Sequence, residues 1–272
     1  MIELIALVGS ATATFLIVYF GGLVGSFVDV WKPILLFAGL FIAFVALFFV
    51  FAFAVTAFID IKKPIKKPSK FYTWLYYTVN AFLVRFFGVK LTVNGEAVPN
   101  EPCVFIMNHR SNFDPMILSD KYKKNKILHV SKPGNFKIPI AGPAIHKAGF
   151  LAIDRANDRE ALKTILKAVD YVSQGYSIGI FPEGTRNKDG LDLLPFRAGA
   201  FKIATKAKAP IVVIAAHGTQ DIKHNFPLKR TAVTLDVLAV LRYEDYKDKT
   251  TAEISDTCAA LMQADIDSKK QA

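Results

Sequence analysis

A layered α/β domain with a largely parallel sheet flanked by helices, preceded by an N-terminal hydrophobic helical hairpin, is the fold class this sequence predicts. Three observations predict it. Two long stretches without charge open the chain, short apolar strand runs alternate with amphipathic helical runs from Val89 onward, and unusual polar residues stand where several of those strand runs end.

The hairpin comes first. No charged residue occurs from Leu4 to Val28 or from Pro33 to Ile59. Each stretch exceeds the roughly 20 apolar residues needed to cross a bilayer core, and the charges at Asp29 and Lys32 place a tight turn at "DVWK". A cleaved signal peptide fits worse: no basic segment precedes Leu4, and the apolar run is longer than an h-region of about 7–15 residues. Gly21, Gly22 and Gly25 permit either close helix packing or a re-entrant kink. Spanning the bilayer and dipping into one leaflet therefore both stay open, while a pair of buried core helices is the alternative that the lengths disfavour.

Lys62, Lys63, Lys66, Lys67 and Lys70 follow at once. By the positive-inside rule this flank lies in the cytoplasm, and with two spans so do the N-terminus and everything beyond Lys70. Pro64 and Pro68 make the segment a stiff linker. The aromatic-rich run from Phe71 to Gly88 is long enough for a helix that Gly88 would end. Two readings of it stand: an interfacial helix beside the membrane, or the buried first helix of the domain that follows. The organisation is thus a membrane-inserted hairpin over 1–60, a basic linker and aromatic helix over 61–88, and a cytoplasmic α/β domain over 89–272.

In that domain "VKLTV" alternates with period two, and "CVFIM", "ILHVS", "FLAID", "SIGIF", "IVVIAA" and "TAVTLDVLAV" read as further strands. Between them "DREALKTILKAVDYVSQG" puts Leu162, Ile165, Leu166, Val169 and Val172 on one helical face, with Gly175 as its stop. A last helix over roughly Thr251 to Ile266 would bury Ile254, Cys258, Leu261 and Met262, and the tail "DSKKQA" reads as solvated and frayed. Alternation of this kind argues for a layered α/β domain, whose chemistry gathers where strands end.

The chain of 272 residues is 52% hydrophobic and carries a formal net charge of +11. Much of that excess is juxtamembrane, where lysines attract anionic headgroups. No RNP-type aromatic motif, Cys/His finger or recognition helix accompanies it, so no nucleic-acid partner is expected. Cys103 and Cys258 have no metal-ligand spacing and read as small core residues. His129, His146, His217 and His224 lack partners at telling positions.

Chemistry enters at "VFIMNHRSNFDP". A strand ends in Asn108 and His109, with Asp114 and Pro115 beyond. Asp114 before a proline suits the N-cap of a helix. It also suits a carboxylate that orients an imidazole and leaves its other nitrogen to take a proton. No serine or cysteine sits in a G-x-S-x-G elbow, so an alcohol on the substrate is a candidate nucleophile. At a second strand end, "FPEGTRN" offers a glycine for close approach, the Thr185 hydroxyl and the Arg186 fork, which matches phosphate oxygens.

These residues resemble the glycerolipid acyltransferases of the 1-acylglycerol-3-phosphate acyltransferase type, over roughly Phe71 to Ala216. The N-H-x-x-x-x-D motif is met by Asn108, His109 and Asp114, and F-P-E-G-T-R by Phe181 to Arg186. A pattern K-x-x-L-x-x-x-P-x-x-G is met at Lys132, Pro139 and Gly142, with Asn135 at its leucine position. The F-I-D-R motif is met at Gly149, Ile153, Asp154 and Arg155, with Ala152 where an aromatic is usual. The late V-P-I-x-P motif keeps Pro210 and Ile211, and Val213 replaces its second proline.

The resemblance implies that His109 is the general base and Asp114 its partner. It implies that Glu183, Gly184, Thr185 and Arg186 form the acceptor-binding turn, and that Lys132 and Arg155 are further cationic contacts to phosphate. It implies transfer of a fatty acyl group to the sn-2 hydroxyl of lysophosphatidic acid at the membrane phospholipid surface, giving phosphatidic acid. The donor would be a thioester, acyl-CoA or acyl carrier protein, with no metal and no other cofactor. Another lysophospholipid or glycerol 3-phosphate as acceptor, a thioesterase-like hydrolase and a non-catalytic adaptor are the rival readings.

Overall fold

Seven strands form one sheet in a computed structural model of the chain, which describes residues 2–22, 24, 29, 31–154, 157–187 and 192–270. In chain order the elements are α1 (Ile2–Gly21), α2 (Trp31–Thr56), α3 (Lys70–Phe86), β1 (Val89–Gly95), β2 (Val104–Met107), α4 (Asp114–Lys121), β3 (Ile127–Ser131), α5 (Ala141–Ala148), β4 (Leu151–Ala152), α6 (Asp158–Ser173), β5 (Ser177–Ile180), α7 (Lys202–Ala207), β6 (Ile211–His217), α8 (Ile222–Asn225), β7 (Thr231–Leu241), α9 (Tyr243–Tyr246) and α10 (Thr251–Lys270). The sheet runs β1-β7-β6-β2-β5-β3-β4. Only the β6–β7 pair is antiparallel, so the sheet is largely parallel, as the alternation of runs predicts.

The central strands show why. Every residue of β2 is buried, as a strand covered on both faces must be. Val104 and Ile106 enter one core with Ile178, Ile180, Ile211 and Val213. Phe105 and Met107 point the other way, into a core with Ile127, Val212 and Ile214. α6, α7 and α10 close the first face through Ala168, Ile203 and Cys258. α4 and α8 close the second through Ile117, Leu118 and Ile222. Both cysteines are buried and free, and burial pushes each thiol up to about 12.

Several expectations need correction. On α6 the residues against the sheet are Ile165, Ala168, Tyr171 and Val172, while Leu162 and Leu166 are exposed. Small Ala168 lets the helix approach the sheet, and this turns the leucine edge outward. β4 is only Leu151–Ala152. α10 continues to Lys270, and Leu261 is only half-buried on it. Its last turn is not frayed, because Lys269 pairs with Asp236, and Lys270 with Asp192 and Asp267. Trp31 and Lys32 belong to α2 rather than to the turn.

The two N-terminal helices are long and apolar enough to cross a membrane. Their most apolar windows are 11% and 0% buried, which a soluble core helix could not be. α3 joins them to the domain. It packs on α4 and α5, buries Leu75, Phe82 and Val84, and meets the hairpin through the Phe82–Phe49 and Phe71–Phe51 ring pairs. Of the two readings of the aromatic helix, the buried first helix of the domain holds for one face, while the other face meets the apolar hairpin.

One strand position is sterically committed. A Cβ on Gly179 of β5 would lie 2.5 Å from Nδ1 of His129 on neighbouring β3. His129 cannot step aside, since its Nε2 lies 2.7 Å from the Ser119 hydroxyl. Gly179→Ala is therefore expected to destabilise by roughly 1–3 kcal/mol. The loss should shrink in a His129→Ala background, a coupling that a double-mutant cycle on unfolding free energies in detergent would measure.

Candidate active site

β2, β5, β3 and β4 lie side by side and run in the same direction. Their C-terminal ends therefore share one edge. Met107 leads into Asn108 and His109, Ile180 into Phe181, Ser131 into Lys132, and Ala152 into Ile153 and Asp154. Neighbouring strands are about 4.8 Å apart, so motifs far apart in sequence emerge within a few side-chain lengths of one another. Arg155 lies outside the described residues.

At that edge His109 Nδ1 is 2.7 Å from Asp114 Oδ2. Asp114 is fully buried, and the same oxygen accepts the backbone N–H groups of Arg110 and Ser111, each at 2.7 Å. Three donors on one carboxylate oxygen hold the 109–114 loop in a ring around it. Asp114 is thus not the N-cap that its place before Pro115 suggests. It is the first residue of α4, and its oxygen turns back to the loop before the helix instead of forward. Because the carboxylate accepts from Nδ1–H, the lone pair of His109 lies on Nε2. The His109 side chain keeps 20% of its surface exposed.

The loop after β5 completes the mounting. Glu183 is buried, its Oε1 accepting from His109 N at 2.6 Å and its Oε2 from Leu194 N at 3.1 Å. Burial raises its carboxyl above the usual glutamate range, and the two amide donors oppose that rise. Asn187 N donates to His109 O at 2.7 Å. Phe181 stacks on the imidazole, with ring centroids 4.4 Å apart and planes at 26°. Glu183 therefore ties the two loops together, and both its oxygens are occupied. Thr185 is exposed and Arg186 half-buried; they form the part of the turn that faces outward. Gly184, at φ +75°, makes the turn between the two halves.

Lys132 is exposed at the end of β3. Asn135, at the position where the motif has leucine, donates to Ser131 Oγ at 2.6 Å and fixes the loop after Lys132.

Other residues are missed by sequence reasoning. Asn108 Nδ2 donates to Ala216 O at 3.0 Å, and its Oδ1 accepts from Ala216 N at 2.7 Å. The side chain thus imitates one more residue of ladder between β2 and β6. Its signal was the motif asparagine itself, at the strand end before the histidine. His129 is no idle packing residue: it stacks behind Phe181 with centroids 6.0 Å apart, and burial lowers it to about 3, so it stays neutral. His217 has partners too, Asp265 at 2.6 Å and Asp236 at 3.6 Å. Lys269 already occupies the space between those carboxylates.

A histidine hydrogen-bonded to a buried carboxylate stands at the C-terminal edge of this sheet, and residues 90–217 match the Acyltransferase family model, which makes this an acyltransferase domain. The chain is 30% identical to a 1-acyl-sn-glycerol-3-phosphate acyltransferase of Salmonella typhimurium over 187 residues, 68% of this chain and 76% of that one. It belongs to the 1-acyl-sn-glycerol-3-phosphate acyltransferase family.

The chloroplastic 1-acyl-sn-glycerol-3-phosphate acyltransferase BAT2 of Brassica napus is 39% identical over 121 residues, 44% of this chain but only 34% of the relative's length. The human 1-acyl-sn-glycerol-3-phosphate acyltransferase alpha is 32% identical over 138 residues, 50% of this chain and 48% of that one. The crystal structure of the 1-acyl-sn-glycerophosphate acyltransferase PlsC from Thermotoga maritima shares the fold. Its TM-score is 0.60 at 18% identity, covering 98% of this chain and 96% of that one.

Glu183→Gln tests the strut. A glutamine keeps one acceptor but turns an N–H₂ against a backbone N–H. Acyl transfer should therefore fall mainly in kcat, by roughly tenfold or more for one charge-assisted hydrogen bond, with the acceptor KM nearly unchanged. A rise confined to KM would return Glu183 to the acceptor.

Proposed function

We propose that the chain transfers a fatty acyl group from a thioester donor, acyl-CoA or acyl carrier protein, to the sn-2 hydroxyl of lysophosphatidic acid. The observation that carries this reading is the His109–Asp114 pair with its free Nε2, beside a loop that presents Thr185 and Arg186. The names of the relatives support the choice of acceptor.

The acceptor phosphate docks on Arg186 and Lys132, with Arg155 as a further cation. This sets the sn-2 hydroxyl at His109 Nε2. Such placement is worth roughly 7–11 kcal/mol of barrier, since attack becomes effectively unimolecular. As the hydroxyl oxygen bonds to the thioester carbonyl carbon, its proton passes to Nε2, and Asp114 stabilises the imidazolium. When the tetrahedral intermediate collapses, the carbon–sulfur bond breaks and the imidazolium returns the proton to the leaving thiolate. Both lipids keep their chains in the bilayer, so the hairpin over 1–60 holds the α/β domain at the headgroup plane. By the positive-inside rule, the lysine flank from Lys62 to Lys70 supports a cytoplasmic face for that domain, the side on which thioester donors are.

His109→Ala should lower kcat by about 10²–10⁴, the usual worth of a general base, while leaving the thermal midpoint near wild type; full turnover in a folded variant would remove the base from this scheme. Arg186→Ala should raise the KM for lysophosphatidic acid by roughly tenfold or more, the loss of a charged hydrogen bond of about 1.5–3 kcal/mol. An equal loss with acceptors that lack phosphate would show that Arg186 does not read that group. An acceptor series with one radiolabelled thioester settles the substrate: turnover on glycerol 3-phosphate alone, or free fatty acid released without acceptor, contradicts the proposal.

A further inference from the structure

The strands that lead into His109 and Lys132 at their C-terminal ends have a concave site at the opposite, N-terminal edge. It is a cleft of about 580 Å³ between α3 and the segment that joins α4 to β3. Lys126 and Tyr176, which line it, immediately precede β3 and β5. His109 and Lys132 follow the opposite ends of the sheet's parallel strands, so the cleft is not part of the acyl-transfer site.

Its lining is cationic and aromatic. Lys70, Arg85, Lys123 and Lys126 contribute four positive charges, Trp74 and Tyr77 contribute rings, and Asp120 is the one acid among its lining residues. Burial raises the Asp120 carboxyl while Arg85 and Lys123, which line the same cleft, draw it down. Arg85 Nε also donates to Glu3 Oε2 at 2.7 Å, at the first turn of α1. Even with both carboxylates counted, the cleft keeps a net positive charge.

Its position names the occupant. The wall formed by α3 is the helix that meets the end of α2, through Phe71–Phe51 at 6.3 Å and the Tyr72 hydroxyl donating to Val55 O at 2.7 Å. The cleft thus sits where α1 begins and α2 ends, at the base of the apolar hairpin. Trp and Tyr favour the headgroup level of a membrane, and clustered Lys and Arg beside a membrane segment favour anionic lipid. The volume suits one small ligand or headgroup. A concave site of that size with a tryptophan wall fits a single headgroup better than the broad surface of an acidic protein.

We propose that this cleft binds the headgroup of an anionic phospholipid of the surrounding membrane. This goes beyond the acyl-transfer reading and does not rest on it. Trp31 and Trp74 are the two tryptophans of the chain. In full-length protein carrying Trp31→Phe, in neutral detergent micelles, Trp74 is the sole reporter on the cleft. Titration with dihexanoyl phosphatidylglycerol should give a saturable shift in its emission, and dihexanoyl phosphatidylcholine should give none. Binding should weaken at least fivefold in a Lys123→Gln, Lys126→Asn variant; asparagine suits Lys126 because that residue sits at φ +50°. Lys70→Gln, an independent single variant at the start of α3, should weaken it at least twofold. Equal shifts from the two lipids, or wild-type affinity in both variants, would overturn the proposal. So would an equal response to glycerol 1-phosphate, which marks a site for free phosphate, or a response to acyl carrier protein in place of phosphatidylglycerol. The readout is binding, so it is unaffected if His109 or the acceptor assignment fails.

Discussion

His109 is held at each of its polar atoms but one. Its N–H is donated to Glu183, its C=O accepts from Asn187, and its Nδ1–H is donated to Asp114. Of its polar atoms Nε2 alone has no hydrogen-bond partner among the described residues. Two buried carboxylates make this mounting, and each is expensive to bury unless its hydrogen bonds are made. The cost of leaving either one unpaired is what keeps the loop after β2 and the loop after β5 in register. Those loops can meet only because β2 and β5 are neighbours in the sheet, and the ring of Phe181 on the imidazole fills the remaining space. The placement of the His109 imidazole is thus a property of the sheet order.

Much of this was legible in the sequence. Period-two and apolar runs reveal strands because burial on both faces demands them, and the strand ends carried His109, Asp114, Lys132 and Arg186 in plain view. The partnerships across loops were not legible. A hydrogen bond from His109 N to Glu183 joins residues 74 apart, and nothing near either one marks it. Glu183 in a glycine-containing turn next to an arginine looks like a ligand-facing residue, and only the fold shows that it faces inward. The stripe on α6 was misjudged for a related reason. Periodicity gives the direction of an apolar face to within about one residue, and a small residue such as Ala168 then decides which flank touches the sheet. Lys269 and Lys270 were read as a loose tail because their partners, Asp236 and Asp192, are remote in sequence.

The hairpin shows the opposite case: composition alone marks two helices long and apolar enough to cross a membrane. Nearly the whole of α1 and α2 is left uncovered by the rest of the chain, with Leu4, Ile5, Phe15, Ile42 and Phe53 among the exposed apolar residues. In water, apolar surface on that scale would drive association. A bilayer is the environment in which it needs no protein partner. α3 reconciles the two solvents, with Leu75 and Val84 in the domain and Phe71 and Phe82 against α2.

The turn from Phe181 to Asn187 divides its labour by burial. Glu183 and Asn187 are buried and grip His109, whereas Thr185 and Arg186 keep contact with solvent. A cation can read an arriving phosphate only if its own partners do not already saturate it. A base can be placed to a fraction of an ångström only if its supports are saturated. In this segment Gly184, at φ +75°, turns the chain from buried Glu183 to exposed Thr185. The Arg186 side chain and the grip on His109 thus belong to one short segment, on the strand next to β2.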